Sequence, residues 1–163
     1  MDITKDCVLR AAQITDRDDI LKLYRLAADS PMTGWDDSYP GDAFIDGDIA
    51  SDSLFVLMHN NAPVAAITMN GGEGLEQPEL WSPARYCVPA RLCVRPDLQG
   101  RGLGRYMITQ MLAWAKEQDF EAVRLLSMPD NAITCRLYES MGFRNVGTIH
   151  LYELDFYGFE KLF

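Results

Sequence analysis

The sequence lacks the features that mark several large classes of protein. No apolar run approaches the roughly 20 residues that a membrane-spanning helix requires. The chain begins MDITKDCVLRAAQ, which contains acids and no apolar segment of the kind found in secretory signals. We therefore expect a cytoplasmic protein with no membrane partner.

Cysteine and histidine are also scarce, with four and two residues respectively. The cysteines are Cys7, Cys87, Cys93 and Cys135, and no two of them form a CxxC pair. A zinc site needs more ligands at short spacing than these residues and the two histidines, His59 and His150, supply. We expect reduced cysteines, buried as small apolar side chains, and no metal.

Positive charge is in short supply, since the net charge is −9. A nucleic-acid partner is therefore not expected, because phosphate contacts need a basic surface. The exception is the segment from Arg91 to Arg105, where four arginines face one acid, Asp97, for a local balance of +3. A positive region in an acidic protein indicates an anionic ligand, and the acidic remainder suits an amine-bearing second ligand.

The pattern of apolar residues is that of a mixed α/β protein, and 163 residues fit one domain over 1–163. We predict strands over Cys7–Gln13, Ser53–Met58, Pro63–Met69, Arg85–Val94, Ala122–Ser127, Phe143–Thr148 and Ile149–Phe156. We predict helices from Thr15 or Asp16 through Ala27, through Phe44–Ile49, over Leu103–Gln118 and over Ile133–Met141. Pro89 predicts an irregularity in its strand, because proline cannot donate to a sheet ladder. The polar insertion Asn70–Arg85 is of a length that is usually functional or mobile.

The segment from Val94 to Arg105, VRPDLQGRGLGR, joins a predicted strand to a predicted helix. Its glycines allow a tight turn and a close approach of the backbone to a ligand. A helix that begins there presents free N–H groups and the positive end of its dipole, and Arg101 and Arg105 add donors for phosphate oxygens. The segment therefore predicts an anion site, and a purely structural turn between strand and helix is the less favoured alternative.

Two other glycine-rich loops do not fit. A Walker loop requires GxxxxGK[ST], and no lysine follows the glycines here. The dinucleotide fingerprint GxGxxG is not met, because Arg105 and Tyr106 stand where small residues are required. A nucleotide-binding protein is thus a weak alternative, and ATP or NAD binding would indicate it.

The spacing Gln99-x-x-Gly102-x-Gly104, preceded by residues 92–96 (LCVRP), resembles the acetyl-CoA signature of the GNAT superfamily of N-acetyltransferases. Asn131, followed by Tyr138 and then by Gly142 and Phe143, resembles the second signature of that family. The order of predicted elements agrees with the family from residue 7 to residue 156. The resemblance implies a twisted, mostly antiparallel sheet of six to seven strands with a V-shaped splay, flanked by about four helices.

The resemblance also implies roles for individual residues. Acetyl-CoA would be the co-substrate, with backbone groups along the strand pairing with its pantetheine arm and loop amides holding its pyrophosphate. The residues implied in cofactor binding are Leu92, Cys93, Val94, Gln99, Gly100, Arg101, Gly102, Leu103, Gly104, Arg105 and Asn131. A backbone N–H near the splay would polarise the thioester carbonyl.

Tyr138 would act as the general acid that protonates the departing CoA thiolate. A phenol with a pKa of ~10 and a thiol with a pKa of ~8.5 are close enough for proton transfer. Taken without the family resemblance, Tyr138 is better explained as a core tyrosine with its hydroxyl at the edge.

The general base that would deprotonate the amine is not identified. Family members often place a glutamate at positions where this chain has Pro89–Arg91 and Leu126–Ser127. The remaining candidates are Asp36, Asp37, Glu73, Glu76 and Glu79, or a chain of water molecules. Each acid is more simply explained as a solvated loop charge.

The acceptor predicted from these motifs is a primary amine of a small molecule or of a peptide N-terminus. Four aromatic residues in or near the polar segments either line an amine pocket or anchor loops to the core: Trp35, Tyr39, Trp81 and Tyr86. The alternative to an enzyme is a non-catalytic acyl-CoA sensor or partner-binding module with the same fold. The resemblance also suggests a homodimer formed through the late strands.

Overall fold

The computed structural model describes residues 2–30, 33–72 and 75–163. Four α-helices are present in this part of the chain: α1 (Arg17–Ala28), α2 (Asp42–Ala50), α3 (Leu103–Glu117) and α4 (Ala132–Ser140). The eight strands of the same part are β1 (Cys7–Ala11), β2 (Leu54–His59), β3 (Ala62–Thr68), β4 (Tyr86–Cys87), β5 (Ala90–Val94), β6 (Ala122–Ser127), β7 (Arg144–Leu151) and β8 (Leu154–Leu162). None of the described helices has the length and apolarity needed to cross a bilayer.

The strands form two four-stranded sheets, in the orders β1-β2-β3-β5 and β4-β6-β8-β7. All pairs are antiparallel except β4 with β6. The mixed α/β class, the mostly antiparallel pairing and the four helices are confirmed. The strand count is eight rather than six to seven, because the predicted strand Arg85–Val94 is divided into β4 and β5.

The division of that strand produces a splay between the two sheets. The short strand β4 pairs in parallel with β6 through Tyr86–Ala122 and Cys87–Val123, and the ladder stops there. After Val88 and Pro89 the chain joins the other sheet, where β5 pairs with β3. Arg91 lies at the irregularity with a φ of +52°, a region that side chains other than glycine rarely adopt. The irregularity predicted at Pro89 is confirmed.

Side chains of alternate residues along the strands point to opposite faces of the sheets, and a core packs against each face. One core packs α1 and α2 against the first sheet through Ile20, Tyr24 and Ile45. The other packs α3 and α4 between the sheets through Met107, Met111 and Tyr138. The splay is thus fixed by helices on each side rather than by hydrogen bonds across it.

A third core lies beneath the insertion, where Leu75 and Trp81 pack on Val88 and Ile149. The buried Arg124 of β6 donates to the carbonyl groups of Leu75 (2.5 Å) and Ser82 (3.1 Å). Residues 75–85 are therefore anchored to the second sheet. For Trp81, which is 4% exposed, loop anchoring rather than an amine pocket is the role that the packing supports.

The last hairpin does not follow the predicted boundaries. We predicted strands over Phe143–Thr148 and Ile149–Phe156, whereas β7 continues to Leu151 and β8 begins at Leu154. The turn consists of Tyr152 and Glu153, both at positive φ (+53° and +61°). Neither residue type signals such a turn, which glycine and asparagine normally occupy. By contrast Asn60 and Asn61, also at positive φ, form the turn between β2 and β3 and are of the residue type that such turns favour.

Candidate functional site

The candidate site is the gap that opens between β5 and β6 beyond their point of divergence. At its wide end β5 leads through a loop into α3, and β6 leads into α4. Asn131 caps α4, since its side-chain oxygen accepts a hydrogen bond from the Thr134 N–H (3.1 Å). Two helices therefore begin at the open end of the gap, where their positive dipole ends favour an anion.

The loop before α3 has a backbone that only glycine adopts without strain. Gly100 and Gly102 have φ values of +76° and +86°, and Gly102 is the N-cap of α3. No atom lies within 4 Å of the position that a Cβ would take at either residue. The glycines are thus required by backbone conformation, and their surroundings leave room for a ligand.

The backbone N–H groups of residues 100–105 are available as donors. In the described ranges, no carbonyl or side chain accepts a hydrogen bond from any of them, and the first capping bond runs from the Tyr106 N–H to the Gly102 carbonyl (3.0 Å). Such unsatisfied donors at a helix start form an anion-binding site. The predicted loop residues Leu103, Gly104 and Arg105 lie in the first turn of α3.

The four arginines of this region serve different purposes. Arg91 is buried, and Arg95 is paired with Asp97 (2.6 Å), which lowers the pKa of that carboxyl group. Arg105 donates to the Ser140 hydroxyl (2.7 Å) and so ties α3 to α4. Arg101 is exposed. The local balance of +3 therefore overstates the charge offered to an anion, because Arg91 lies in the core.

The edge of β5 presents two residues to the gap. The Arg95 N–H donates to the Val64 carbonyl (2.8 Å), and the register places Cys93 opposite Ala66. Because antiparallel hydrogen bonds alternate along a strand, the backbone groups of Cys93 point to β3 and those of Leu92 and Val94 point away from it. The Gln99 side chain donates to the Val94 carbonyl (3.3 Å).

Neither buried cysteine near the gap is suited to nucleophilic chemistry. Burial raises the pKa of the Cys93 thiol to about 12, and that of Cys87 likewise to about 12. All four cysteines are free, but the predicted burial holds only for Cys87 and Cys93, since Cys7 and Cys135 are half-buried. The described residues contain no group of three or more histidine, cysteine, aspartate or glutamate side chains that could hold a metal ion.

Tyr138 lies in the core between the sheets and is 5% exposed. Its ring packs on Phe143 and Phe159, with centroids 5.7 and 5.3 Å away. Burial, and to a lesser degree the Cys135 thiol, raises its pKa above the usual value of ~10. The phenol therefore keeps its proton at neutral pH, and no described residue forms a hydrogen bond with its hydroxyl.

A buried ion pair lies directly behind the irregularity of β5. The Arg91 guanidinium donates to both carboxylate oxygens of Asp48 on α2 (2.8 and 3.0 Å), and the Thr68 hydroxyl donates to the same carboxylate (2.7 Å). The side chains of Arg91 and Asp48 are only 4% and 12% exposed. Sequence reasoning missed this pair, although Asp48 follows the buried Ile45 by three residues and so shares its helix face.

The acids considered as general bases do not take part in the contacts of Arg91 with Asp48 and Thr68. The carboxylate of Asp36 accepts from the N–H and the hydroxyl of Ser38, which lowers its pKa and weakens it as a base. Asp37, Glu76 and Glu79 are exposed, and Glu73 lies outside the described residues. No base is assigned.

Neither of two surface cavities coincides with the gap. The larger, about 760 Å³, lies against the outer face of α1 beside Leu21 and Leu26. The smaller, about 330 Å³, lies between the turn that joins β2 to β3 and the loop before α3, beside His59 and Arg101. We nevertheless take the gap as the candidate site. Among these three places in the described part of the chain, it alone has unsatisfied backbone donors beside two helix N-termini.

Comparison with known proteins identifies the arrangement. The family model described as the acetyltransferase (GNAT) family matches residues 20–143. No curated protein sequence gives a significant match. Solved structures of similar fold include a GNAT acetyltransferase from Streptococcus agalactiae (19% identity, TM-score 0.76, 96% of this chain and 95% of that chain covered).

Two further structures resemble the chain over most of its length. The ribosomal-protein-alanine N-acetyltransferase from Brucella melitensis is 17% identical, with a TM-score of 0.75, and 96% of this chain and 99% of that chain are covered. The yncA protein from Salmonella typhimurium, solved with its cofactor acetyl-CoA, is 18% identical, with a TM-score of 0.72 and coverage of 96% and 93%. At these identities the likeness is one of fold.

The buried ion pair predicts a large loss of stability for Asp48→Ala. The substitution leaves the Arg91 guanidinium buried without its partner, which typically costs about 3–5 kcal/mol. Asp46→Ala, on the same helix, removes an exposed pair with Arg17 and should cost far less. The free energy of unfolding in urea measures both, and similar losses for the two variants would contradict the role given to Asp48.

Proposed function

Because the chain belongs to the acetyltransferase (GNAT) family, we propose that it transfers the acetyl group of acetyl-CoA to a primary amine. The observation that carries this proposal is the row of unsatisfied backbone donors over residues 100–105, at the end of an open strand edge. The Salmonella relative was solved with acetyl-CoA, which supports the same co-substrate here.

The described residues fit acetyl-CoA. The free N–H groups of residues 100–105 would hold its pyrophosphate, and the gap-facing backbone groups of Leu92 and Val94 would pair with its pantetheine arm. Gln99 would keep the loop against Val94, and the side-chain amide of Asn131, whose oxygen caps α4, would donate to the arm. The cofactor contact expected of Cys93 is not part of this proposal, since its backbone faces β3 and its side chain is buried in the core beneath α1 and α2.

When bound, acetyl-CoA supplies a thioester carbonyl that a neutral amine attacks. The Leu92 N–H follows Arg91 at the irregularity of β5 and faces the gap, so it is the donor that we assign to the carbonyl oxygen. Such a donor aimed at developing negative charge typically contributes about 3–4 kcal/mol to lowering the barrier.

Tyr138 is the residue that we assign to the leaving sulfur. Its raised pKa keeps the phenol protonated, so the hydroxyl always has a hydrogen to donate. The same shift moves the pKa of the phenol further from the ~8.5 of a thiol. Full transfer of the proton from Tyr138 to the thiolate is therefore less favourable than the unperturbed pKa values of the two groups indicate. Tyr138 therefore stabilises the thiolate first by a hydrogen bond and then by the proton.

The acceptor that we propose is a primary amine of a small molecule or of a peptide N-terminus. The Brucella relative is named for an alanine of a ribosomal protein, which supports the peptide class. The second candidate is a non-catalytic acyl-CoA sensor of the same fold. It is favoured by one observation, which is that Pro89, Ala90 and Ser127 occupy the strand positions beside the gap without a carboxylate.

Thiol release from acetyl-CoA separates the two candidates. We expect at least one amine in a panel of polyamines, amino acids, aminoglycosides and peptides with free N-termini to produce CoA at a saturable rate well above hydrolysis. Calorimetric binding of acetyl-CoA without release for any amine would favour the sensor, and no binding at all would contradict both.

Tyr138→Phe should bind acetyl-CoA as the wild type does and turn over roughly 10²-fold more slowly, because only the proton donor is lost. Initial rates of thiol release measure the effect. Because the pKa of Tyr138 is raised, wild-type turnover should show no alkaline loss at the usual tyrosine value of ~10. Tyr24→Phe, which removes another buried hydroxyl, is the matched control. Normal turnover of Tyr138→Phe at every pH would refute the assignment.

A further inference from the structure

The first three residues of the insertion, Asn70–Gly72, bind Val88, the residue that follows β4 where the chain leaves β6. We propose that Asn70 is a positioning residue. Together with the backbone N–H groups of Gly71 and Gly72, it holds Val88, and with it the segment that leads from β4 to β5, away from β6. The Leu92 N–H is thereby directed into the gap. We call these three residues the clamp. The inference rests on the proposed function for the role of Leu92.

The clamp takes both backbone groups of Val88. The Val88 N–H donates to the Asn70 side-chain oxygen (3.0 Å), and the Val88 carbonyl accepts from the N–H groups of Gly71 (3.0 Å) and Gly72 (2.9 Å). The Arg85 carbonyl accepts from the Ala122 N–H, so alternation along β4 points the backbone groups of Cys87 to β6 and those of Val88 away from it. The ladder ends at Cys87 because the next N–H that would face β6 belongs to residue 89, which is a proline. The clamp therefore holds Val88 from the edge opposite β6.

The two glycines of the clamp are required by contact rather than by conformation. A Cβ on Gly71 would lie 2.5 Å from the Thr68 methyl group and 2.6 Å from an Arg91 nitrogen. A Cβ on Gly72 would overlap the Val88 side chain. The close approach that brings the clamp amides to the Val88 carbonyl therefore depends on glycine at both positions.

Arg91 connects the clamp to the Leu92 N–H. Its guanidinium donates to the Gly71 carbonyl (3.3 Å) and at the same time binds Asp48. The Leu92 N–H belongs to the peptide unit that directly follows Arg91, so its direction depends on the backbone of Arg91 at its positive φ. Val88 and Arg91 are thus fixed at either side of Pro89 and Ala90, and the short segment between them has little freedom.

Asn70 is the residue to change, because it is exposed and its loss should not prevent folding. Asn70→Ala removes the acceptor of the Val88 N–H, whereas Asn70→Asp keeps a side-chain oxygen in the same place. The matched control is Asn145→Ala, which removes an equivalent bond in an exposed residue, from the Gly147 N–H to the Asn145 side-chain oxygen (2.8 Å), on β7.

Infrared difference spectra with acetyl-CoA carrying ¹³C at the thioester carbonyl report the Leu92 hydrogen bond directly. We expect the bound carbonyl stretch to fall below that of free acetyl-CoA in the wild type, in Asn70→Asp and in Asn145→Ala. In Asn70→Ala it should return towards the free value and kcat should fall about tenfold or more, while the calorimetric Kd changes by less than about threefold. An unchanged stretch and kcat in Asn70→Ala, or equal losses in Asn70→Asp, would overturn the proposal.

A second measurement needs no ligand and so separates this inference from the proposed function. In ¹⁵N–¹H spectra of the free protein, Asn70→Ala should displace the Leu92 amide resonance as well as that of Val88, and Asn145→Ala should displace neither. A Leu92 resonance that does not move refutes the clamp even if acetyl-CoA binds. Failure of the wild type to bind acetyl-CoA would contradict the proposed function, and the spectra of the free protein would then decide on the clamp alone.

Discussion

The separation of β5 from β6 is the constraint on which the rest of the structure depends. Two adjacent parallel strands would normally share a full ladder, yet here the ladder has two residue pairs and then ends. The ladder cannot continue, because the next residue whose backbone would face β6 is Pro89, which has no N–H. The backbone groups of Val88 and Cys93 face other partners, which are residues 70–72 for Val88 and β3 for Cys93. The peptide groups on the other edges of these strands are therefore paired, and those facing the gap are left free.

The two sides of the gap are held by different forces. Apolar packing of α3 and α4 between the sheets fixes the cofactor side, and Tyr138 belongs to that core. The opposite side depends on polar contacts, above all the buried pair of Arg91 with Asp48. Burying an ion pair is expensive and adds little net stability, so its position behind the strained residue of β5 indicates that it specifies geometry. In the mechanism that we propose, that geometry directs the Leu92 N–H.

The sequence allowed the fold and the cofactor loop to be predicted because both depend on local signals. Glycine at 100 and 102 marks the positive-φ loop, and Pro89 marks the broken strand. The contacts that shape the other side are non-local and carry no such signal: Arg91 meets an acid 43 positions earlier in the chain, and Val88 meets Asn70. The insertion was predicted to be functional or mobile, and its residues 75–85 are anchored, because Arg124 binds the Leu75 carbonyl and the buried Glu160 binds the Ser82 N–H. The identity of the acceptor could not be predicted from the sequence, since no motif spacing marks a residue that recognises it.

The central claim is that the loop backbone over residues 100–105 binds acetyl-CoA, and calorimetry on two glycine variants tests it most directly. Gly102 and Gly142 have nearly the same φ, +86° and +88°, so valine at either position costs about 1–2 kcal/mol or more in backbone strain. Only Gly102 belongs to the loop. The account predicts that Gly142→Val, although destabilised, binds acetyl-CoA as the wild type does, and that Gly102→Val binds it at least about 100-fold more weakly, since about 2.7 kcal/mol of binding free energy is lost with the loop geometry. Equal affinities for the two variants would contradict it.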